Sequence, residues 1–274
     1  MTEIANVSGT AFIIAEFRAA ENEQLQPLYL DDIVQLFLNE QTHQAAGEVL
    51  QVFPPAKDAI AIRTKYFDDT LSAQIALGCQ QVVILGAGLD TRAVRKEALG
   101  VTYFEIDHSA TLKLKAEVLQ QHHLTANVKY IPGDYVRDDI ISLLQQHNFN
   151  PDLLTYLLWE GNSVYLTKAE IITTFGKIRD YIKNFKFSFD YMSDRVIART
   201  TGCQELNDYI DKFIEMGAPW LTGFADITEV AESLNLQIVE HFSTAELYQK
   251  YCGDRALESN LFDFYFLGTL EKVA

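Results

Sequence analysis

The chain has little cysteine, little positive charge and no long apolar run. Its 274 residues hold three cysteines, Cys79, Cys203 and Cys252, odd in number, far apart and without metal-ligand spacing. Neither a disulfide framework nor a metal site is therefore expected. Basic residues number 22 against 38 acidic, a formal charge of -16. A surface of that sign repels phosphate backbones and anionic leaflets, which argues against naked nucleic acid and membrane surfaces as partners. Nothing approaches the ~20 apolar residues of a membrane span, and the run from Ala11 to Ala15 is too short for a signal-peptide core. A cytoplasmic location is the expectation. There is no fixed-period repeat and no low-complexity tract. What remains is a globular composition, 48% hydrophobic and 12% aromatic, sufficient for a large core.

The rhythm of the sequence changes near residue 79. Before it, apolar residues recur at helical spacing over 9–24 and 28–50, for instance Leu30, Ile33, Val34, Phe37 and Leu38, until Pro54-Pro55 interrupts them. A third helix is expected from Lys57 to Leu77, stopped by Gly78. Beyond it, short apolar or β-branched runs alternate with helical patterns, the signature of βαβ units and a mainly parallel sheet. The expected strands are 81–85, 102–106, 128–131, 153–158, 186–191, 237–242 and 262–270. Ser109 is an expected helix N-cap after the second. The stretch between the last two is too polar and irregular to assure a crossover helix, so an antiparallel last strand is expected. The organisation predicted is a helical N-terminal cap over 1–78 and a Rossmann-like domain over 79–274. Residues 195–225, long and containing GAPWLTGF, read as a covering insertion.

The strongest local signal is QVVILGAGLDTR at 81–92. An apolar strand enters Gly86-Ala87-Gly88 and then a helical segment, and open α/β sheets bind ligands at such carboxyl-end turns. Glycines there permit a tight turn and close backbone approach, although a ligand-free turn reads the same way. A dinucleotide pyrophosphate would sit over the next helix start, where Asp90 stands. At 4 Å and an effective dielectric near 20, like unit charges repel by roughly 4 kcal/mol. Arg92 could offset this, but the third glycine of the dinucleotide fingerprint is also missing, replaced by Thr91. A phosphate-free cofactor with a positive centre, such as S-adenosylmethionine, suits the turn better than NAD.

Asp107 lies at the tip of the second strand, 21 residues after Gly86, where a carboxylate can accept both ribose hydroxyls or cap the following helix. Glu105 faces the same side but deeper. Asp134 in PGDY reads equally as an adenine acceptor, with Tyr135 against the ring, or as ordinary turn chemistry. Glu160, after the fourth strand, would attract an ammonium group. Buried there it needs a cation, either the ligand or Arg63.

These segments together resemble the leucine carboxyl methyltransferase family, which includes bacterial S-adenosylmethionine-dependent O-methyltransferases of small molecules and polyketides. RTKYFDDTL at 63–71, QVVILGAGLDTR at 81–92, YFEID at 103–107, GDYVRDD at 133–139 and WEGNSVYL at 159–166 follow the family's order and spacing. The resemblance implies a Rossmann-like class I methyltransferase fold. It implies Arg63 at the methionine carboxylate, Gly86 with Gly88 along the methionine side, Asp107 at the ribose, Asp134 with Tyr135 at the adenine, and Glu160 at the amino group. Arg18 in FRAAE is similar to the family's N-terminal segment and reads equally as a surface cation. Asn162 and Ser163 depart from the family, standing where apolar residues are usual. His108 also departs, and reads as an exposed residue near a helix start; His241 reads as packed. Phe12, Phe17, Tyr29 and Trp220 could line an acceptor pocket or fill the core.

Methyl transfer from a sulfonium is an in-line displacement. A carboxylate acceptor needs no base and a hydroxyl does, and no convincing base stands out beside the weak candidates His108 and Tyr165. The sequence leaves the catalytic residues and the oligomeric state unassigned. It points to an O-methyltransferase acting on a carboxylate, or a hydroxyl, of a small molecule. A catalytically silent S-adenosylmethionine-binding protein and an NAD-dependent oxidoreductase are the alternatives.

Overall fold

The computed structural model describes residues 7–253 and 259–273. Its strands are β1 (Gln81–Leu85), β2 (Thr102–Asp107), β3 (Val128–Pro132), β4 (Thr155–Trp159), β5 (Phe185–Met192), β6 (Leu236–Ser243) and β7 (Tyr265–Lys272). They form one sheet in the order β3-β2-β1-β4-β5-β7-β6. The first five are parallel neighbours, and β7 runs antiparallel to both β5 and β6. This is the mainly parallel sheet with a reversed last strand that the sequence predicts.

Eleven helices surround it among the described residues: α1 (Val7–Ala20), α2 (Glu40–Val52), α3 (Ala56–Ala76), α4 (Arg92–Arg95), α5 (Ser109–Gln121), α6 (Ile140–Gln146), α7 (Lys168–Tyr181), α8 (Asp194–Ile197), α9 (Gln204–Glu215), α10 (Ile227–Ser233) and α11 (Thr244–Cys252). Side chains alternate across the central strands. Val82, Ile84, Tyr156 and Leu158 join the core under α3, and Val83, Leu85, Leu157 and Trp159 join the opposite core with Ile171, Phe175 and Ile178 of α7. Because both faces are covered, β1 and β4 are buried along their whole length. No helix among the described residues is long and apolar enough to cross a membrane.

Two expectations fail, the cap of α5, which is His108 with Ser109 the first helical residue, and the helix over 28–50. Residues 28–50 are not one helix: 28–39 is irregular apart from a 3-10 turn at Val34–Phe37, and α2 starts at Glu40. Asn39 stops anything earlier, because its side chain accepts from the amides of Gln41 and Thr42 while the Thr42 hydroxyl accepts from its own amide, a reciprocal cap. Upstream, Asp31 is fully buried and fixed by Arg18 and Thr91, which holds this stretch to the site; Val34 and Phe37 are buried while Leu30 is exposed. The connection between β6 and β7 does contain a helix, α11. Its start is a capping box of Ser243 and Glu246, a signal present in the sequence and outvoted by the polarity around it.

Candidate functional site

Strand register brings the site together. Leu85 pairs with Ile106, Ile84 with Leu158, Asp107 with Pro132 and Trp159 with Phe189. The residues just past these pairs, Gly86, Asp134, Glu160 and Asp190, therefore share with Asp107 the carboxyl edge of the sheet. All of them line a single cavity of about 340 Å³ together with Arg63, Gly88 and Tyr135. The sequence-predicted site residues thus meet in one place.

At the glycine turn the amides of Gly86 and Ala87 both donate to the Ile106 carbonyl, at 2.9 and 3.1 Å. Gly86 and Gly88 have φ of +63° and +49°, left-handed values that glycine adopts without strain. A side chain on Gly86 would also run into Asn162. Asp107 accepts from the Gly88 amide at 2.7 Å and from the His108 amide at 2.6 Å, so its carboxylate is aimed by two donors and keeps lone pairs for a diol. Asp134 makes the turn bonds expected of it. One oxygen accepts from the amides of Val136 and Arg137, at 3.0 and 3.1 Å, and the residue lines the cavity. Glu105, by contrast, is fully buried against Lys115 at 2.5 Å and lies outside the cavity lining. Burial pushes its carboxyl up to about 7, against the lowering by Lys115.

The methionine end implied by the resemblance is a buried charge cluster. Glu160 accepts from Arg63 Nε at 2.9 Å and from Arg92 Nη1 at 2.7 Å. Burial raises its pKa, but Arg92 and Arg63 outweigh burial and hold the carboxyl below its usual range. Arg63 also donates to the Tyr265 hydroxyl at 3.0 Å and lies 3.5 Å from Asp190. Asp190 accepts from the Gly161 amide at 2.6 Å and the Tyr265 hydroxyl at 2.5 Å. Desolvation wins at Asp190, raising its pKa against the pull of Arg63. Arg92 also reaches Asp68 at 2.6 Å and Asp90 at 2.5 Å, so the repulsion expected from Asp90 is offset by Arg92.

Arg18 is buried rather than a surface cation. It pairs with Asp31 and donates to the Leu89 carbonyl and to Thr91 Oγ1. Thr91, occupying the missing glycine's place, also accepts from Arg95 at 2.8 Å. Counting Arg18, Arg63, Arg92 and Arg95 against Asp31, Asp68, Asp90, Glu160 and Asp190 gives four guanidinium groups facing five carboxyl groups. Such a cluster offers a phosphate no uncommitted cation.

The cavity also has an apolar lining. Ile14 of α1, Ile60 of α3, Val164, Phe213 of α9 and Trp220 line it with Tyr165 and Tyr209. Burial raises the pKa of both tyrosines, so at neutral pH they are phenols that donate and do not act as bases. Of the four aromatics singled out in the sequence, Trp220 alone reaches this lining; Phe17 and Tyr29 are buried elsewhere and Phe12 is partly buried. His108 is exposed at the Asp107 end. His241 stacks on Tyr191 and Phe266, away from the cavity lining. Ser163 donates to the Asp190 carbonyl at 2.6 Å.

Asp190 and Tyr265 escaped the sequence reading. A lone carboxylate in the apolar run FSFDYM was the available signal for Asp190. Tyr265 had none, since its partner Arg63 lies 202 residues away.

The sequence model of the family described as leucine carboxyl methyltransferase matches residues 11–179, more than half the chain. A Mycobacteroides abscessus protein named "Putative S-adenosyl-L-methionine-dependent methyltransferase" is 32% identical over 179 residues, 61% of this chain and 60% of its own. A Mycolicibacterium smegmatis protein of the same name is 34% identical over 176 residues, 59% of this chain and 56% of its own. The match thus spans less than two thirds of these relatives. Among solved structures, a duf574 family protein from Streptomyces avermitilis superposes with a TM-score of 0.67 at 11% identity, covering 99% of both chains. Magnesium protoporphyrin IX methyltransferase from Synechocystis, crystallised with bound SAM, superposes at 0.50 with 11% identity, covering 89% of this chain and 99% of its own. At these identities the likeness is one of fold, that of class I methyltransferases.

Proposed function

Because the chain belongs to the leucine carboxyl methyltransferase family, we propose that it is an S-adenosylmethionine-dependent O-methyltransferase acting on a carboxylate, or a hydroxyl, of a small apolar molecule such as a polyketide-like metabolite. The observation that carries this reading is one cavity with two unlike kinds of lining, fixed carboxylates and guanidinium groups at the sheet edge and apolar side chains from the elements that cover it. The donor set fits the cofactor group by group. Arg63 would hold the methionine carboxylate and Glu160 the amino group, Asp107 the ribose hydroxyls, and Asp134 with Tyr135 the adenine, with Gly86 and Gly88 leaving room. S-adenosylmethionine, when bound, supplies a methyl group on a sulfonium that is open to in-line displacement. A dinucleotide fits less well, since β7 reverses where the dinucleotide fold continues in parallel.

The chain's part in such a reaction is positioning and exclusion of water. The N-terminal helices and the 195–225 segment act as a cap, contributing Ile14, Ile60, Phe213 and Trp220 to the acceptor chamber. Tyr165 and Tyr209, kept protonated by burial, can donate to an acceptor oxygen but cannot take its proton. Asp190 is tied up by Gly161, Tyr265 and Arg63. A carboxylate acceptor, ionised before it binds, needs none of them as a base. Incubation with methyl-labelled S-adenosylmethionine and a panel of apolar acids and alcohols tests this. Label in esters is expected; label in ethers alone overturns the carboxylate assignment, and no transfer to any acceptor, with the cofactor bound, overturns the catalytic one.

A further inference from the structure

Asn162 stands where the cavity passes over the glycine turn, and its hydrogen bonds fix which end of its amide faces which way. Trp159 Nε1 can only donate, and it does so to the Tyr135 hydroxyl at 2.9 Å. That hydroxyl's own proton is then free for Asn162 Oδ1, 3.3 Å away. The Nδ2 of Asn162 faces three carbonyls, Glu160 at 2.6 Å and Leu85 and Gly86 at 3.4 Å each, a position that only a donor can occupy. The amide is thus pinned from both sides. Its oxygen, with one lone pair still unused, lies over the Cα of Gly86, where an added Cβ would collide with it. Asn162, Gly86, Glu160 and Tyr135 all line the cavity.

We infer that Asn162 is a cofactor-discriminating residue whose carboxamide oxygen faces the positive sulfonium carbons of S-adenosylmethionine, favouring the methyl donor over the neutral thioether product. The inference rests on the proposed function and adds to it a residue that favours product release. A carbonyl dipole costs far less to desolvate than a third carboxylate beside Glu160 and Asp190 would. It still attracts C–H groups polarised by an adjacent positive sulfur. Glu160 and Arg63, at the amino-acid end that donor and product share, cannot tell the two apart; a group beside the sulfur can.

The test is the ratio of two dissociation constants, measured calorimetrically for S-adenosylmethionine and S-adenosylhomocysteine on the full chain. Asn162→Leu keeps the side chain's branched shape and removes its dipole. It is expected to weaken S-adenosylmethionine about three- to fivefold, the worth of a polarised C–H contact, and S-adenosylhomocysteine by less than twofold. Equal losses for both ligands, or no change in either, overturn the inference. Tyr135→Phe, which unpins the oxygen without touching Asn162, is expected to shift the ratio in the same direction by a smaller factor; should the leucine variant not fold, this second ratio decides. Failure of the unsubstituted chain to bind either ligand would instead overturn the proposed function.

Discussion

The charged and the apolar lining of the cavity are built on opposite principles. At the sheet edge, Arg63, Arg92, Glu160 and Asp190 are locked by bonds of 2.5–3.0 Å to one another and to Tyr265 and Gly161, while Asp107 is aimed by two backbone amides. In the apolar lining, Ile14, Ile60, Val164, Phe213 and Trp220 supply surface without direction. Fixed charges recognise one constant ligand, because displacing any of them leaves its neighbours buried and unpaired. An apolar wall accepts whatever shape fits it and is altered cheaply by substitution. A common cofactor with a variable acceptor demands that division.

Substitutions should separate the two linings. The largest effect belongs to Arg92→Met. It strips Asp68, Asp90 and Glu160 of a shared buried partner, and chemical denaturation should record a loss of about 3–5 kcal/mol. A loss below about 1 kcal/mol, the range of exposed pairs, would show that the cluster is not a structural unit. Next, Asp107→Ala should weaken S-adenosylmethionine binding by about 1–3 kcal/mol, the penalty for unmet hydroxyl partners, with calorimetry as the readout. Unchanged affinity would remove Asp107 from the site. The smallest effect, roughly 1 kcal/mol from lost apolar area, belongs to Trp220→Phe and should fall on the acceptor's KM while cofactor affinity stays within about twofold. If the cofactor weakens as much as the acceptor does, the two linings are not separable.

The same division explains what could be read from the sequence. Gly86, Asp134 and Glu160 each follow a strand by one or two residues and Asp107 ends one, so local pattern alone puts them on one edge once the strands are recognised. Arg63 came with the resemblance, not with any periodicity. Arg18 looked like a surface cation because nothing nearby in sequence announces Thr91 or the Leu89 carbonyl, 73 and 71 residues away. The irregular stretch before Asn39 carries apolar residues at helical spacing, yet Asp31's bonds to Arg18 and Thr91 hold it to the site. Long-range electrostatic partners override local propensity wherever a charge must be buried. The apolar lining was the least legible, since Trp220 and Phe17 look alike in sequence and only packing separates lining from core.

Strand β7 travels against its neighbours, and this has a geometric result. A forward strand delivers its final residue to the ligand side of the sheet; a backward one delivers its first. Tyr265 opens β7 opposite Met192, and Leu261 just ahead of it also reaches the cavity. The reversed strand thus brings residues of the late chain to the chamber. Changes to the segment leading into this strand should retune the chamber independently of the helices that cover it.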